Sequence, residues 1–301
     1  MRVGIIGGGQ WGQALGRLVM AAGNEPFLGY RDVKPPQILP STNTPGTVSS
    51  SCELVLVATS AAEIREAMRV SAPGPANRVV VAGRGVEPGT GKWLSQVIEE
   101  ECDAVRVGAL AGPAPVDEIL NGALCAGVIA SEYAEVRRMV TEALHSSRYR
   151  VYESSDLLGV QLAGAMVPVL ATLVGLITNL SGAGVGMHAM VITRGLEEAS
   201  RLAKALGAES TTLRGLAGIG DLVAVQGTKE HPYYKAGAVL AGKRGKRSEA
   251  TLHIARALAR RAREVGVEMP LTEALVVMYE GRDPLETVSQ LMSRKAQPEC
   301  R

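Results

Sequence analysis

Arg2-Val3-Gly4-Ile5-Ile6-Gly7-Gly8-Gly9-Gln10-Trp11-Gly12 sets the architecture of the chain. Residues 2–6 are a short apolar run that reads as a buried strand. From Gln13 onward the apolar residues return at helical spacing. Between them, Gly7, Gly9 and Gly12 fit G-x-G-x-x-G, in its required place between a strand and a helix. In that motif the first glycine makes the tight turn. The second lets the backbone approach a pyrophosphate, and the third lets helix and strand pack closely. The free N–H groups at the start of the helix, around Gln10 and Trp11, then face the phosphates. The expectation is a dinucleotide site for NAD or NADP.

A second strand is predicted over residues 26–30, ending at Arg31 and Asp32. An acid about 20 residues past the glycines holds the adenosine ribose in such folds, whereas an Arg favours a 2′-phosphate. Both stand here, so NAD against NADP stays open at this point, as does the reading of a solvated pair at a strand end. Residues 34–51 hold four prolines with many Ser and Thr and predict an irregular connection. Strands are then expected over 53–58, 78–82, 105–110, 125–130 and 150–152, with helices over 61–70, 90–101 and 132–144. Thr59 and Ser60 come directly after the first of these strands, where the ligand crevice of an open parallel sheet lies. The alternation predicts an α/β fold: a doubly wound Rossmann-type domain over residues 1–153. From residue 154 the texture is helical, over 156–180, 187–206, 248–265, 271–279 and 284–292. An all-helical C-terminal domain, residues 154–301, is expected, with a substrate cleft between the two. Ser154 and Ser155 are the expected caps of its first helix, and Gly182 to Gly186 a break between helices.

Composition narrows the partners. The chain has 301 residues, 46% apolar and 21% charged, ordinary for a globular protein. A net charge of +2 argues for neither nucleic acid nor an anionic membrane. No apolar run is expected to span a membrane. No signal-peptide pattern is expected at the start. Cys52, Cys102, Cys125 and Cys300 show no metal-ligand spacing and read as free thiols of a cytoplasmic protein. The basic stretch from Gly242 to Arg247 reads as a solvated loop.

Several stretches resemble the soluble NAD(P)-dependent glycerol-3-phosphate dehydrogenase family. They are Gly7 to Gly12, Gly83-Arg84-Gly85, Ala111-Gly112-Pro113 and Asp156-Leu157-Leu158-Gly159-Val160-Gln161-Leu162-Ala163-Gly164-Ala165. Two more are Ile192-Thr193-Arg194-Gly195-Leu196 and Gly215-Leu216-Ala217-Gly218-Ile219-Gly220-Asp221-Leu222. The resemblance covers most of the chain. It implies reduction of dihydroxyacetone phosphate with NADH or NADPH, a phosphorylated small-molecule substrate, and a homodimer through the helical domain. The family's proton-donating lysine falls at Val167 and the asparagine after it at Pro168. Neither side chain can donate a proton. A second family lysine falls at Arg84, which keeps the charge but is a poor acid. Asp221 matches the family's active-site aspartate and is expected to organise Arg84 or the cleft. The family's Ser-Arg-Asn-Arg stretch, which holds the substrate phosphate, has no equivalent between Gln226 and Lys235. Lys229, His231 or Lys235 would have to serve an anion there, or the stretch is a surface loop. His188 is a further acid to consider. Pro168 is also expected to kink its helix.

Two functions fit this pattern. One is a dehydrogenase with a diverged substrate or proton donor, in which Arg84 and Asp221 carry the chemistry. The other is a non-catalytic dinucleotide-binding or regulatory protein on the same fold.

Overall fold

The computed structural model describes residues 1–33, 35–227 and 230–295. In chain order the first half carries β1 (Arg2–Ile6), α1 (Gln10–Ala21), β2 (Glu25–Gly29), β3 (Ser41–Thr42), α2 (Pro45–Ser51), β4 (Leu54–Val57), α3 (Ile64–Ser71) and β5 (Arg78–Val81). It continues with α4 (Leu94–Glu101), β6 (Arg106–Ala111), α5 (Val116–Leu120), β7 (Cys125–Ala130), α6 (Ala134–Leu144) and β8 (Tyr149–Ser154). The strands form one sheet in the order β3-β2-β1-β4-β5-β6-β7-β8. The chain leaves β1 towards β2 and later returns to its other side as β4. The crevice of the sheet therefore opens beyond the carboxyl ends of β1 and β4.

Beyond the arginines that open β1, β5 and β6, the central strands are apolar because helices cover both faces. In β5, Val79 and Val81 enter one core while Val80 enters the other. β6 and β7 pair antiparallel, with Ala109 opposite Ala130. β7 and β8 then run parallel to each other, Cys125 opposite Tyr149. That reversal brings the starts of β7 and β8 to the edge where the other strands end.

The second half is helical: α7 (Leu157–Asn179), α8 (Val185–Ala205), a 3-10 turn (Ser210–Arg214), a π turn (Leu216–Gly220), α9 (Asp221–Gln226), α10 (Pro232–Leu240), α11 (Glu249–Glu264), α12 (Pro270–Tyr279) and α13 (Pro284–Met292). α7 is its axis and is buried along almost its whole length. Its backbone meets α10 directly. A Cβ on Gly175 would lie 2.1 Å from the Tyr234 carbonyl oxygen, and one on Gly237 1.9 Å from that of Thr172. The core that takes Val79 and Val81 from the sheet also takes Leu162, Val169 and Leu176 from α7 and Leu258 and Leu275 from α11 and α12. Sheet and helices thus share one apolar interior.

Several expectations are corrected. Residues 34–51 contain β3 and α2. Pro45 sits at the first helical position, where its missing N–H is no loss, and Val48 is buried. Asp156, not Ser154 or Ser155, caps α7. It stands immediately before the helix and accepts from the Gly159 N–H at 2.8 Å, while its other oxygen accepts from Thr212 Oγ1 at 2.6 Å. α8 begins at Val185, so Gly186 lies inside it. α7 is long and apolar enough to cross a membrane, against the expectation from the sequence. Its apolar window is wholly buried within the protein, which is why it is a core helix here. α7 continues through Pro168 as one helix, and the missing N–H leaves the Gly164 carbonyl without its partner one turn back. The helix expected over 90–101 begins only at Leu94, and α5, α9 and α10 are additions to the expected set. Cys52, Cys102 and Cys125 are free thiols, and Cys300 lies outside the described residues.

Candidate functional site

The glycine turn is built as its residue types require. Gly7 has φ +124°, and a Cβ there would lie 2.9 Å from the Ala58 carbonyl. A Cβ on Gly12 would lie 1.9 Å from the Gly7 carbonyl oxygen, so the helix can approach the strand only as glycine. A Cβ on Gly9 would meet nothing within 4 Å. It would instead project into open space at the start of α1. Above this turn lies a groove of about 360 Å³. Gly7, Gly9, Gln10, Trp11, Arg31 and Thr59 all line it, while Gly12 supports it from below. The Thr59 hydroxyl is buried and has no hydrogen-bond partner among the described residues. Trp11 donates from Nε1 to the Ala82 carbonyl oxygen, so its indole reaches from α1 to the end of β5.

The far rim of the groove is charged. Arg31 donates to Asp32 Oδ2 at 2.7 Å and to Glu63 Oε1 at 3.2 Å. Ser60 Oγ donates to the other Glu63 oxygen at 2.7 Å. Glu63 stands just before α3 and carries no signal in the sequence, because nothing local ties it to Arg31.

At the carboxyl end of β5, the Gly83-Arg84-Gly85 turn projects Arg84 towards the helices. Arg84 Nε and Nη2 each donate to one oxygen of Asp221, both at 2.6 Å. Asp221 opens α9 and is fully buried. Burial alone would lower the basicity of Arg84, and the Asp221 charge and hydrogen bonds more than offset it, so the guanidinium stays charged. The Arg84 stem passes α7 at Gly164, whose Cβ would lie 3.9 Å from Arg84 Cγ. Val167, three residues further along α7, is buried in the core, as is Pro168.

Three more side chains surround this clamp. Tyr149 is buried and lines a cavity of about 40 Å³ together with Trp11, Gly83, Arg84 and Gly112. A Cβ on Gly127 would lie 1.9 Å from its hydroxyl oxygen, so that glycine is what admits the phenol. Burial raises the Tyr149 pKa above the ordinary phenol value, the charges of Cys125 and Asp221 add to this, and Arg84 opposes it. His231 caps α10, its Nδ1 accepting the Tyr233 N–H at 3.3 Å, and its ring lies against Tyr233 with centroids 4.9 Å apart. Burial and then the Arg84 charge depress its pKa, against Asp221, so it is neutral at pH 7. Burial raises the Tyr233 pKa, with Arg84 opposing and Asp221 adding. Lys235 is exposed and paired with Glu230 at 2.5 Å, and His188 is hydrogen-bonded to Thr178 at 3.1 Å. Lys229 lies outside the described residues. Tyr149 and Tyr233 are site residues that the sequence does not reveal. Tyr149 looks like one more alternating strand residue, and only the β6–β7 reversal carries it to the site.

Residues 29–137 match the profile of the NAD-dependent glycerol-3-phosphate dehydrogenase N-terminus, and residues 156–289 that of its C-terminus. A glycerol-3-phosphate dehydrogenase [NAD(P)+] of Azotobacter vinelandii is 34% identical over 97% of this chain and 94% of its own. One from Thioalkalivibrio sulfidiphilus is also 34% identical, over 99% and 98%. Among solved structures, the glycerol-3-phosphate dehydrogenase of Coxiella burnetii superposes with a TM-score of 0.87 at 25% identity, covering 97% of this chain and 99% of that one. Both halves of the chain and nearly its whole length agree, and this chain belongs to the NAD-dependent glycerol-3-phosphate dehydrogenase family.

Proposed function

We propose that this protein is an NAD(P)-dependent dehydrogenase that interconverts a carbonyl and an alcohol, and that it uses a substrate diverged from dihydroxyacetone phosphate. The observation that carries the reading is the Arg84–Asp221 clamp beside the glycine-turn groove, where the resemblance places a lysine-based site. The groove fits a dinucleotide. Gly9 leaves open space at a helix N-terminus, and the Thr59 hydroxyl is an orphaned donor at the adjoining strand end. When bound, the nicotinamide supplies or accepts the hydride.

The protein's own residues divide the remaining work. Gly7, Gly9, Gln10, Trp11 and Gly12 seat the pyrophosphate, and Arg31 and Thr59 lie on the adenosine and strand-end sides. Asp221 holds Arg84 in one orientation through two of its nitrogens. The third, Nη1, is the donor left to stabilise the negative charge that develops on the carbonyl oxygen. An arginine does not surrender its proton at neutral pH. Tyr149 supplies it instead, through one water in the cavity it shares with Arg84. That cavity exceeds the ~10–15 Å³ a water needs. Burial makes Tyr149 a weaker acid than a free phenol, and the transfer runs because an alkoxide is a stronger base than the phenolate left behind.

The test is steady-state turnover of dihydroxyacetone phosphate with NADH and NADPH. We expect a rate at least ~10³-fold below the ordinary ~10 per second, because proton donor and phosphate contacts both differ. A rate within tenfold of ordinary enzymes overturns the diverged-substrate reading. A second reading, dinucleotide binding without turnover, is favoured by the internal pairing of Arg84 and by Val167 at the lysine position. Tight NADH binding with no oxidation by a panel of small ketones and aldehydes would select it. A cytoplasmic location and a homodimer through the helical domain belong to the same proposal. Val185, Val223, Leu285 and Met292 are exposed apolar side chains of that domain that such a dimer could draw on. Light scattering at micromolar concentration checks it.

A further inference from the structure

We propose that Glu63, with Asp32, makes the groove select NAD over NADP. The proposal rests on the reading of the groove as the dinucleotide site. Arg31 alone would recruit a 2′-phosphate, because a guanidinium pairs with it in bidentate fashion. Here the guanidinium is already engaged. Nε serves Asp32 and Nη2 serves Glu63, and Ser60 fixes the second Glu63 oxygen. Among the described residues lining the groove, Arg31 stands against three carboxylates, Asp32, Glu63 and Glu66. A 2′-phosphate carries about −1.5 to −2 at pH 7 and would enter a rim that is already negative. The two ribose hydroxyls of NAD, by contrast, are donors that a carboxylate accepts. Glu63 acts twice: it withdraws the one cation among the described residues that line the groove, and it repels the group that cation would otherwise bind.

NADH and NADPH affinities are to be measured by fluorescence titration for wild type, Glu63→Gln, Arg31→Ala, the double variant and Gly9→Val. These rim side chains are exposed, so the rim variants should fold, which circular dichroism confirms. Wild type should prefer NADH. Glu63→Gln should strengthen NADPH about five- to tenfold, the size of one charge contact in a solvated groove, and leave NADH within threefold. Arg31→Ala alone should weaken NADPH further, because it leaves Asp32 and Glu63 uncompensated, and in the Glu63→Gln background it should abolish the NADPH gain. Equal or tighter NADPH binding by wild type, or equal shifts of both cofactors in Glu63→Gln, overturns the inference. If neither cofactor binds, or Gly9→Val binds as wild type does, the groove reading itself falls, and with it the selectivity built on it.

Discussion

At the scale of single residues, two glycines of the turn make opposite predictions. Gly9→Val places its side chain in open space, so the melting temperature should stay within a few degrees while NADH affinity falls at least ~100-fold. Gly12→Ala drives a Cβ into the Gly7 carbonyl oxygen, so it should destabilise the fold by a few kcal/mol, in the range of strained or overpacked sites. Thermal unfolding and cofactor titration of the pair separate the two roles. Tyr149→Phe tests the proton source. The phenol makes no hydrogen bond to another described residue, so stability and NADH affinity should hold, while turnover of an identified substrate drops ~10²–10⁴-fold. Unchanged turnover would exclude Tyr149. Arg84→Met leaves the buried Asp221 carboxylate unpaired and should cost on the order of 3 kcal/mol in a chemical denaturation curve.

At the scale of elements, Glu198 fastens α12 to α8. Its carboxyl accepts from the Leu271 N–H at 2.7 Å and the Thr272 N–H at 3.3 Å, satisfying the start of α12. Burial pushes its pKa up to about 7, against those same N–H groups, which lower it. A carboxyl raised in the folded state binds its proton more tightly than the unfolded chain does. The stability it confers is full below its ordinary pKa near 4.5 and is lost as pH rises towards 7, on the order of 3 kcal/mol. Glu198→Gln should flatten the stability profile between pH 5 and 8, measured by urea midpoints. An unchanged slope would place the titration elsewhere. At the α7–α10 contact, Gly175→Ala and Gly237→Ala each press a Cβ into a facing backbone, and each should lower the melting temperature by several degrees.

At the scale of the whole molecule, one interior spans sheet and helices, so a single calorimetric transition is expected, and a fragment ending near residue 155 should aggregate with its sheet face bare. Two separate transitions would contradict the shared core. The sheet is legible in the sequence because strands buried on both faces read as unbroken apolar runs, as Leu54 to Val57 do. The glycine turn is legible because its chemistry is local. α9 and α10 are not, since six residues in the one and nine with a Pro and a Gly in the other carry too little periodicity. The Arg84–Asp221 pair joins positions 137 residues apart, so no local pattern reports its geometry, although resemblance suggests the partners. Glu63 and Tyr149 are illegible for the same reason: each acquires its place only when the sheet closes around it.

The burial of α7 has a consequence during synthesis. Its covering helices α10, α11 and α12 lie downstream, the last ending at Tyr279. At ~5–20 residues per second, the ribosome needs roughly 5–20 s to make the chain between Asn179 and Tyr279. For that interval a helix apolar enough for a lipid bilayer waits without its partners. The nascent chain is then a competitor for chaperones and membrane-insertion machinery, and slow codons after residue 180 should depress soluble yield more than slow codons before residue 150.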